Sequence, residues 1–303
     1  MTLEQLRIFV AVAECEHVTR AAEALRLTQS AVSAAVAALE SRYNVTLFDR
    51  VGRRIELNEV GRLFLGEARA VLARAAAAEL ALSEMSGLKR GTLSVHASQT
   101  IASYWLSPRL VAFRGAYPQI EVKLAVGNTA QTAKAVIDGT AELGFVEGRV
   151  DDVALQQSTI DQDQLTIVVG AGHPWAHKKR LTEKDLVEGD WVLREPGSGT
   201  RSEFEAALSG RGVSPEGLKI VLELPTNEAV RAAVEAGAGV TAISELVVEA
   251  ALRAGTLVAM AFPLPTRPFL VLHHRERYQS KAAQEFLKII TAFPVPQSAR
   301  SAS

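Results

Sequence analysis

LTQSAVSAAVAALESRYNVTLFDR, residues 27–50, reads as a helix with two unlike flanks. Thr28 is placed as its N-cap, because its hydroxyl can accept a bond from a free first-turn amide. At about 100° per residue, Val32, Val36, Leu39 and Tyr43 fall on one side and are expected to face a core. Ser30, Ser33, Ala34, Ala37 and Ser41 fall on the other, a flank with almost no charge and no bulk. Two readings fit such a flank. Small side chains allow close packing on another helix, or they let a smooth helix enter the major groove of a duplex, where Gln29 and Ser30 bond bases or phosphates and Ala34 meets a thymine methyl.

The residues that follow separate the two. Leu47 and Phe48 anchor a turn, and Arg50, Arg53 and Arg54 precede a short strand at 55–57, so a hairpin with a basic tip is expected. For the arginines alone, a solvated charge cluster is the plain alternative, but a helix-turn-helix followed by a basic wing fits duplex DNA. Upstream, Leu3, Leu6, Phe9, Val12 and Ala13 recur at helical spacing, and Thr19 is expected to cap a second helix holding Ala22 and Leu25.

Downstream, Phe64, Ala68, Val71, Ala75, Ala78, Leu82 and Met85 alternate steps of four and three, the pattern of a coiled-coil seam. The helix over 59–87 is roughly 40 Å long at the usual rise. Arg69, Arg74 and Glu79 lie off the seam, so the stripe is expected to pair with a second copy of the chain; packing against its own chain is the alternative.

From residue 92 onward strands alternate with helices. Strands are expected at 92–97, 121–126, 143–146, 166–169, 191–193, 220–224, 240–243 and 269–272, mostly short apolar runs of the buried kind, which implies doubly wound sheets. The pattern of strand, polar loop and helix occurs near Ser98 and again near Gly197, consistent with two similar lobes. The chain is expected to cross between lobes near Gln162 and to return near Pro265, since Pro263, Pro265 and Pro268 interrupt regular structure.

Bulk properties bound the rest. A chain of 303 residues suggests two or three domains. Arg74, Glu79 and Arg253 interrupt the longest apolar stretches, so no membrane span is expected, and MTLEQLRIF with its acidic Glu4 does not resemble a signal peptide, which makes the cytoplasm the default. The single cysteine, Cys15, can form neither an intramolecular disulfide nor a cysteine-based zinc site. A net charge of −1 argues against indiscriminate binding to nucleic acid and leaves the decision to local patches.

The C-terminal loops suggest a binding site for a small anion. Ser98, Gln99 and Thr100 follow a strand and open a helix, where free amides and hydroxyls favour negative charge. Gly197, Ser198 and Thr200 repeat the arrangement, flanked by Arg194 and Arg201, and Thr226 and Asn227 repeat it again. Each is an ordinary cap if taken alone; their convergence at a cleft between lobes is what suggests a site. Asn128 and Glu147 end two further strands of the first lobe. A carboxylate repels a fully ionised anion, so a lining Glu147 is expected to bond a protonated ligand oxygen, such as bisulfite offers; the alternative is a Glu147 satisfied within the lobe boundary. The loops lack an aromatic-rich lining, although Trp105 is close in sequence, which points to a sulfur oxyanion or a small carboxylate rather than a large flat ligand. No Gly-x-Ser-x-Gly elbow, phosphate-binding glycine loop or His-Glu-x-x-His helix is present, and His273 and His274, adjacent in a strand, point to opposite faces. No catalytic residue, cofactor or metal site is therefore expected. A plain solute-binding protein remains the alternative from another class.

The stretch AAEALRLTQSAVSAAVAALESRYNVTLFDRVGRRIELNEVGR, residues 21–62, resembles the helix-turn-helix and wing of LysR-type bacterial transcriptional regulators. That resemblance implies an α/β chain overall: an all-α winged helix-turn-helix at 1–58, a dimerising linker helix at 59–88, and at 89–303 a two-lobed α/β effector domain like a periplasmic binding protein. The lobes would be about 92–162 with 266–303, and about 163–265. It further implies promoter DNA as partner, RNA polymerase as a further one, and assembly as a homodimer through the linker helix and as a homotetramer. Thr28, Gln29, Ser30 and Ser33 then occupy recognition-helix positions, and Arg50, Arg53 and Arg54 wing positions. The chain departs from the pattern at Ala34, Ala35, Ala37 and Ala38, where longer polar residues are common, so DNA shape is expected to carry more of the specificity. Asn58 also stands where a threonine is common. NVTLFDRVGRRIELNE, SQTIASYWLSP, VGNTAQTAKAVIDGTAELGFVEG and LREPGSGTR together resemble the YeiE-like, sulfite-responsive branch.

Overall fold

The computed structural model describes residues 1–51, 54–85 and 91–292, the side chains of 51 and 83–85 excepted. It forms two compact units. The first contains α1 (Leu3–Cys15), α2 (Val18–Leu25), α3 (Gln29–Tyr43), an antiparallel hairpin of β1 (Phe48–Val51) and β2 (Arg54–Leu57), and α4 (Glu59–Met85).

Thr2 opens α1 with a capping box: its hydroxyl accepts from the Gln5 amide and the Gln5 side chain accepts from the Thr2 amide. The helix then buries Leu6, Phe9 and Val12. The N-cap of α2 is His17, not Thr19; the His17 ring accepts from the Arg20 amide at 3.5 Å. Starting the helix at Val18 lets Val18 pack beside Ile8, Val12, Ala21, Ala22 and Val32, and this apolar contact overrides the capping preference of Thr19. A second cluster joins Leu6, Phe9, Leu39, Leu47, Leu57 and Ala68, with the Phe9 ring 5.6 Å from Phe48 and 4.9 Å from Phe64.

Asn58 fixes the start of α4. Its side-chain oxygen accepts from the Gly61 amide at 2.8 Å while its amide donates to the Thr46 carbonyl at 2.9 Å, tying the new helix to the loop after α3. At Gly61 the backbones meet so closely that a Cβ would lie 2.1 Å from the Leu47 carbonyl oxygen. The expected seam divides along α4. Phe64 and Ala68 turn inward with Leu65 and Leu72 onto the first unit's own core, whereas Val71 and Leu82 are exposed, together with Val60 and Leu63. A straight helix of 3.6 residues per turn drifts away from a strict heptad, so one sequence stripe serves two faces. Met85 lies outside the residues whose side chains are described.

The second unit is built on a nine-stranded sheet. Its elements are β3 (Gly91–Ser98), a π-helical turn (Ile101–Leu106), α5 (Ser107–Ala116), β4 (Ile120–Gly127), α6 (Thr129–Asp138), β5 (Leu143–Glu147), β6 (Leu155–Gly170), α7 (Glu183–Glu188), β7 (Asp190–Arg194), α8 (Gly199–Ser209), β8 (Lys219–Leu224), α9 (Asn227–Glu235), β9 (Val240–Ser244), α10 (Glu245–Ala254), β10 (Leu257–Met260), β11 (Thr266–His274) and α11 (Lys281–Ala292). The order is β4-β3-β5-β11-β6-β9-β7-β8, with β10 paired to β6. Lobe 1 packs Leu93, Val95, Phe113, Phe145, Phe269 and Phe286, and lobe 2 packs Ile167, Trp191, Leu193, Phe204 and Val240.

The strand expected at 166–169 is longer than its apolar run. It is a continuous 16-residue strand, β6, whose 155–164 half pairs with β11 and whose 165–169 half pairs with β9. The polar run QQSTIDQDQ hides the strand because that half is largely solvent-facing. Pro268 does not interrupt structure but sits inside β11 opposite Gln162, where a register shift follows at Phe269/Leu270 and absorbs the missing donor. The strand β10, which no sequence pattern marks, is only four residues long. The edge strands β4 and β8 are not of the buried kind: Leu124, Val126, Ile220, Val221 and Leu222 are exposed.

The contact at Gly61 generates a prediction. Gly61→Ala lowers the stability of the first unit by about 1–3 kcal/mol through overpacking, whereas Gly66→Ala, with open space around it, stabilises α4 by roughly 0.5–1 kcal/mol. Urea unfolding followed by helix content measures both, and equal effects would contradict the close approach at Leu47.

Candidate functional site

The small-residue flank of α3 is exposed. Thr28, Gln29, Ser30, Ser33, Ala34, Ala37 and Ser41 all face solvent, while Val32 and Leu39 on the opposite side are 0% and 2% exposed. The Thr28 hydroxyl accepts from the Ala31 amide at 3.2 Å and lies 3.1 Å from the Ser30 hydroxyl. Gln29 and Ser33 make no contact with the core. Tyr43 departs from the expected core side: it is 51% exposed, with the Arg42 guanidinium over its ring at 5.7 Å. Helix α3 ends at Asn44 in the left-handed conformation, which turns the chain before the Tyr43 ring reaches the core.

In the hairpin, Arg50 pairs with Ile55 and Val51 with Arg54, and both arginines are exposed. Arg53 lies outside the described residues. Neither Arg50 nor Arg54 takes part in an ion pair within the described residues, so both guanidiniums can meet an external anion such as a phosphodiester.

In the second unit the candidate residues gather where the lobes meet. Gln99, just after β3, donates to the Pro225 carbonyl at 2.9 Å and accepts from the Asn227 amide at 3.0 Å. Asn227 donates to the Thr100 hydroxyl at 2.9 Å, and its oxygen accepts from Arg194 at 2.5 Å. Arg194 in turn holds Glu195 at 2.8 and 3.0 Å, and Glu195 accepts from Asn128 at 3.1 Å. The arginines expected beside the glycine loop are therefore not free for an anion: Arg194 serves Glu195 and Asn227, and Arg201 binds Glu205 at 2.7 Å and Glu223 at 2.6 Å. Both carry a carboxylate within reach, and local ion pairing takes them first. Thr226 spends its hydroxyl capping α9, and Trp105 is a lobe-1 core residue that donates to Asp161 at 2.6 Å.

Gly197, at φ +87°, lets its carbonyl accept from the Ala130 amide at 3.1 Å. Ser198, 2% exposed, makes no side-chain cap, and Ser98, 3% exposed, has a hydroxyl without a partner among the described residues. Thr200 accepts from Arg267 at 3.0 Å. Arg267, 1% exposed and not among the residues that the sequence singles out, is paired with Asp163 directly across the β6–β11 ladder, with Nε to Oδ2 at 2.7 Å; Ser244 donates to the other Asp163 oxygen at 2.8 Å. An alternating pattern of charges at 161, 163 and 267 was the available signal. Burial raises the Asp163 carboxyl above its ordinary range, opposed by Arg267 and by the Ser244 and Arg267 hydrogen bonds. Burial also raises Glu203, and Glu147 adds to the effect while Arg267 opposes it. A separate groove of about 600 Å³ on the flank of α8 is lined by Glu203, Ala206, Ala207, Gly210, Arg211 and Pro265. None of the candidate ligand residues named above lines it.

A helix with a free, smooth flank beside a basic hairpin, and a two-lobed α/β unit whose helix N-termini meet at the lobe boundary, are the parts of a DNA-binding regulator with an effector-binding domain. The chain belongs to the LysR family. Residues 3–62 match the family described as bacterial regulatory helix-turn-helix protein, lysR family, and residues 86–293 match the LysR substrate binding domain. YeiE of Escherichia coli strain K12, an uncharacterized HTH-type transcriptional regulator, is 36% identical over 299 residues, covering 98% of this chain and 99% of its own. The probable RuBisCO transcriptional regulator of Phaeodactylum tricornutum is 31% identical over 94% of each chain. The fold matches the crystal structure of CbnR, a LysR family transcriptional regulator, at a TM-score of 0.67 and 23% identity, covering 96% of this chain and 98% of that one. Among the described residues no helix is long and apolar enough to cross a membrane.

The raised Glu203 carboxyl gives a pH-dependent prediction. A carboxyl whose folded-state value lies above its unfolded one contributes most stability in acid and loses it as pH rises through the folded value. Glu203→Gln therefore raises the thermal midpoint of the protein at neutral pH and leaves it unchanged in acid, where wild type is protonated too. A gain that is the same at both pH values would contradict the assigned cause.

Proposed function

We propose that residues 1–58 read promoter DNA, that 59–88 pair two chains, and that 89–303 bind a small anion at the lobe boundary, a sulfur oxyanion such as sulfite. The observation that carries the DNA reading is the exposure of the entire Thr28–Ser41 flank of α3 against its buried anchors Val32 and Leu39. In this reading Gln29, Ser30 and Ser33 meet base edges, Thr28 and the helix N-terminus approach a phosphate, and Arg50, Arg53 and Arg54 follow the backbone. A helix in a groove must be slim on the reading side, which the alanines at 34, 37 and 38 allow. They also remove donors and acceptors, so DNA shape carries part of the specificity. A full-length CbnR has been crystallised with its target DNA, and its fold matches at a TM-score of 0.66, which supports the same mode here.

Exposed Val60, Leu63, Val71 and Leu82 on α4 support a dimer through that helix. The exposed apolar edges β4 and β8 support a further contact between effector domains and thus a homotetramer. Amides and hydroxyls at Ser98, Gln99, Thr100, Asn128, Ser198, Thr200, Thr226 and Asn227, without an aromatic lining, support a ligand small enough to be wrapped by both lobes. The same donors suit a small carboxylate, which is the second reading. Ligand closes the lobes, the dimers repack, and the spacing of the recognition helices changes the DNA bend, with RNA polymerase as the partner that senses it.

Three results test this. Replacing Arg50 or Arg54 with alanine weakens binding to promoter DNA and reduces the slope of log affinity against log salt by about one each. A change at Ser33 alters sequence preference instead, as selection from random DNA reports. Leu63→Glu with Leu82→Glu lowers the mass seen by light scattering at micromolar concentration, and a wild type that is already monomeric there would reject the dimer.

A further inference from the structure

Helix α3 is capped by Asn44, and residues 44–46, which lead from it to the hairpin, are exposed. The first buried residue after them is Leu47, 2% exposed. Its backbone is held from two sides. The Leu47 amide donates to the Glu40 carboxylate of α3 at 2.7 Å, and the Leu47 carbonyl accepts from the Asn58 amide, just ahead of α4, at 3.1 Å. Strand β1 begins at the next residue and carries Arg50, while Arg54 lies opposite Val51 on β2. One residue thus ties the hairpin to the helix before it and to the helix after it.

Glu40 is half-buried in the last turn of α3. Its backbone carbonyl accepts from the Val45 amide at 3.1 Å, a bond that any side chain at this position would allow. Its carboxylate reaches further, to an amide seven residues on. A buried amide left without an acceptor is costly, so this bond keeps Leu47 at a fixed distance from α3. The distance matters because phosphate contacts set the register of a protein on a duplex, and an arginine on a loosely tethered hairpin must be ordered before it can make one. The negative charge of Glu40 has no such use, since it can only repel phosphates.

We infer that Glu40 is a positioning residue for DNA binding: by accepting from the Leu47 amide, its carboxylate sets the span between the α3 flank and the wing arginines Arg50 and Arg54, so that both engage one duplex together. Glu40 itself touches no DNA in this inference, which rests on the DNA reading of α3 and the hairpin. The acceptor and its reach are what count, and the charge is dispensable.

Fluorescence anisotropy of the full chain on a duplex that wild type selects from random DNA, measured over a range of salt, tests this with two variants. Glu40→Gln keeps an acceptor at the same reach and removes the charge; Glu40→Asp keeps the charge and draws it back by one methylene. Both are compared with wild type at a temperature where circular dichroism shows all three folded. Glu40→Gln is expected to retain the wild-type slope of log affinity against log salt, and Glu40→Asp to reduce it by about two, one for each arginine. Arg50→Ala, which alone lowers the slope by about one, is expected to change it little in the Glu40→Asp background. Loss of fold stability alone would shrink the active fraction and leave the slope as it was. Effects that follow charge, with Glu40→Asp like wild type and Glu40→Gln not, or an Arg50→Ala effect fully retained beside Glu40→Asp, would overturn the inference and leave the DNA reading intact. If wild type selects no duplex, or if Arg50→Ala and Arg54→Ala leave its slope unchanged, the DNA reading fails and the inference with it.

Discussion

A helix can offer a whole flank to another molecule only when the opposite side alone holds it in place. In α3 two residues meet that requirement, Val32 and Leu39, each buried and each stabilising the packed helix by about 1.5–3 kcal/mol. They engage the two separate apolar clusters of the first unit, so the helix is fixed at two points along its axis and cannot roll. The chain after it is held as firmly: Asn58 and Gly61 lock α4 onto the Leu47 turn, and the hairpin that carries Arg50 and Arg54 lies between these anchors. The smooth flank and the arginines owe their positions to this packing, since neither makes contacts of its own that would hold it.

In the second unit the corresponding constraint is polar. Asp163 and Arg267 form a buried pair across the two strands that join the lobes, with Ser244 and Thr200 completing it from lobe 2. Buried ion pairs contribute little net stability, but breaking one is costly, so such a pair favours one arrangement over its neighbours. The chain from Gln99 and Thr100 through Asn227, Arg194 and Glu195 to Asn128 spans the lobe boundary on the other side. Any movement of one lobe against the other must remake these bonds. A ligand that supplies replacements is therefore able to set the lobe geometry.

Apolar periodicity made most of the fold legible: the three N-terminal helices, the long α4 and eight of the strands follow from it. It failed where solvent or geometry competed. The polar half of β6 carries little apolar alternation because most of its residues face solvent, with Leu155 buried and Ile160 packed on the lobe-1 core, and Pro268 reads as a break although a register shift accommodates it. Thr19 reads as a cap until the contact of Val18 is known, and the α4 stripe cannot be divided between inner and outer faces without knowing where α1 lies. For the site, hydroxyls and amides at strand ends were visible as a pattern, but which of them are spent internally was not. Arg194 and Arg201 look like anion receptors in sequence and turn out to be occupied. Arg267 looks like a strand residue between prolines and forms a buried ion pair with Asp163.

The central claim is that the Thr28–Ser41 flank enters the duplex. Thiol alkylation tests it most directly, with Ala37→Cys or, as a control on the second unit, the exposed Val187→Cys, each in a Cys15→Ser background. The account predicts that promoter DNA slows alkylation at position 37 and leaves position 187 unchanged. Equal rates at position 37 with and without bound DNA would contradict it.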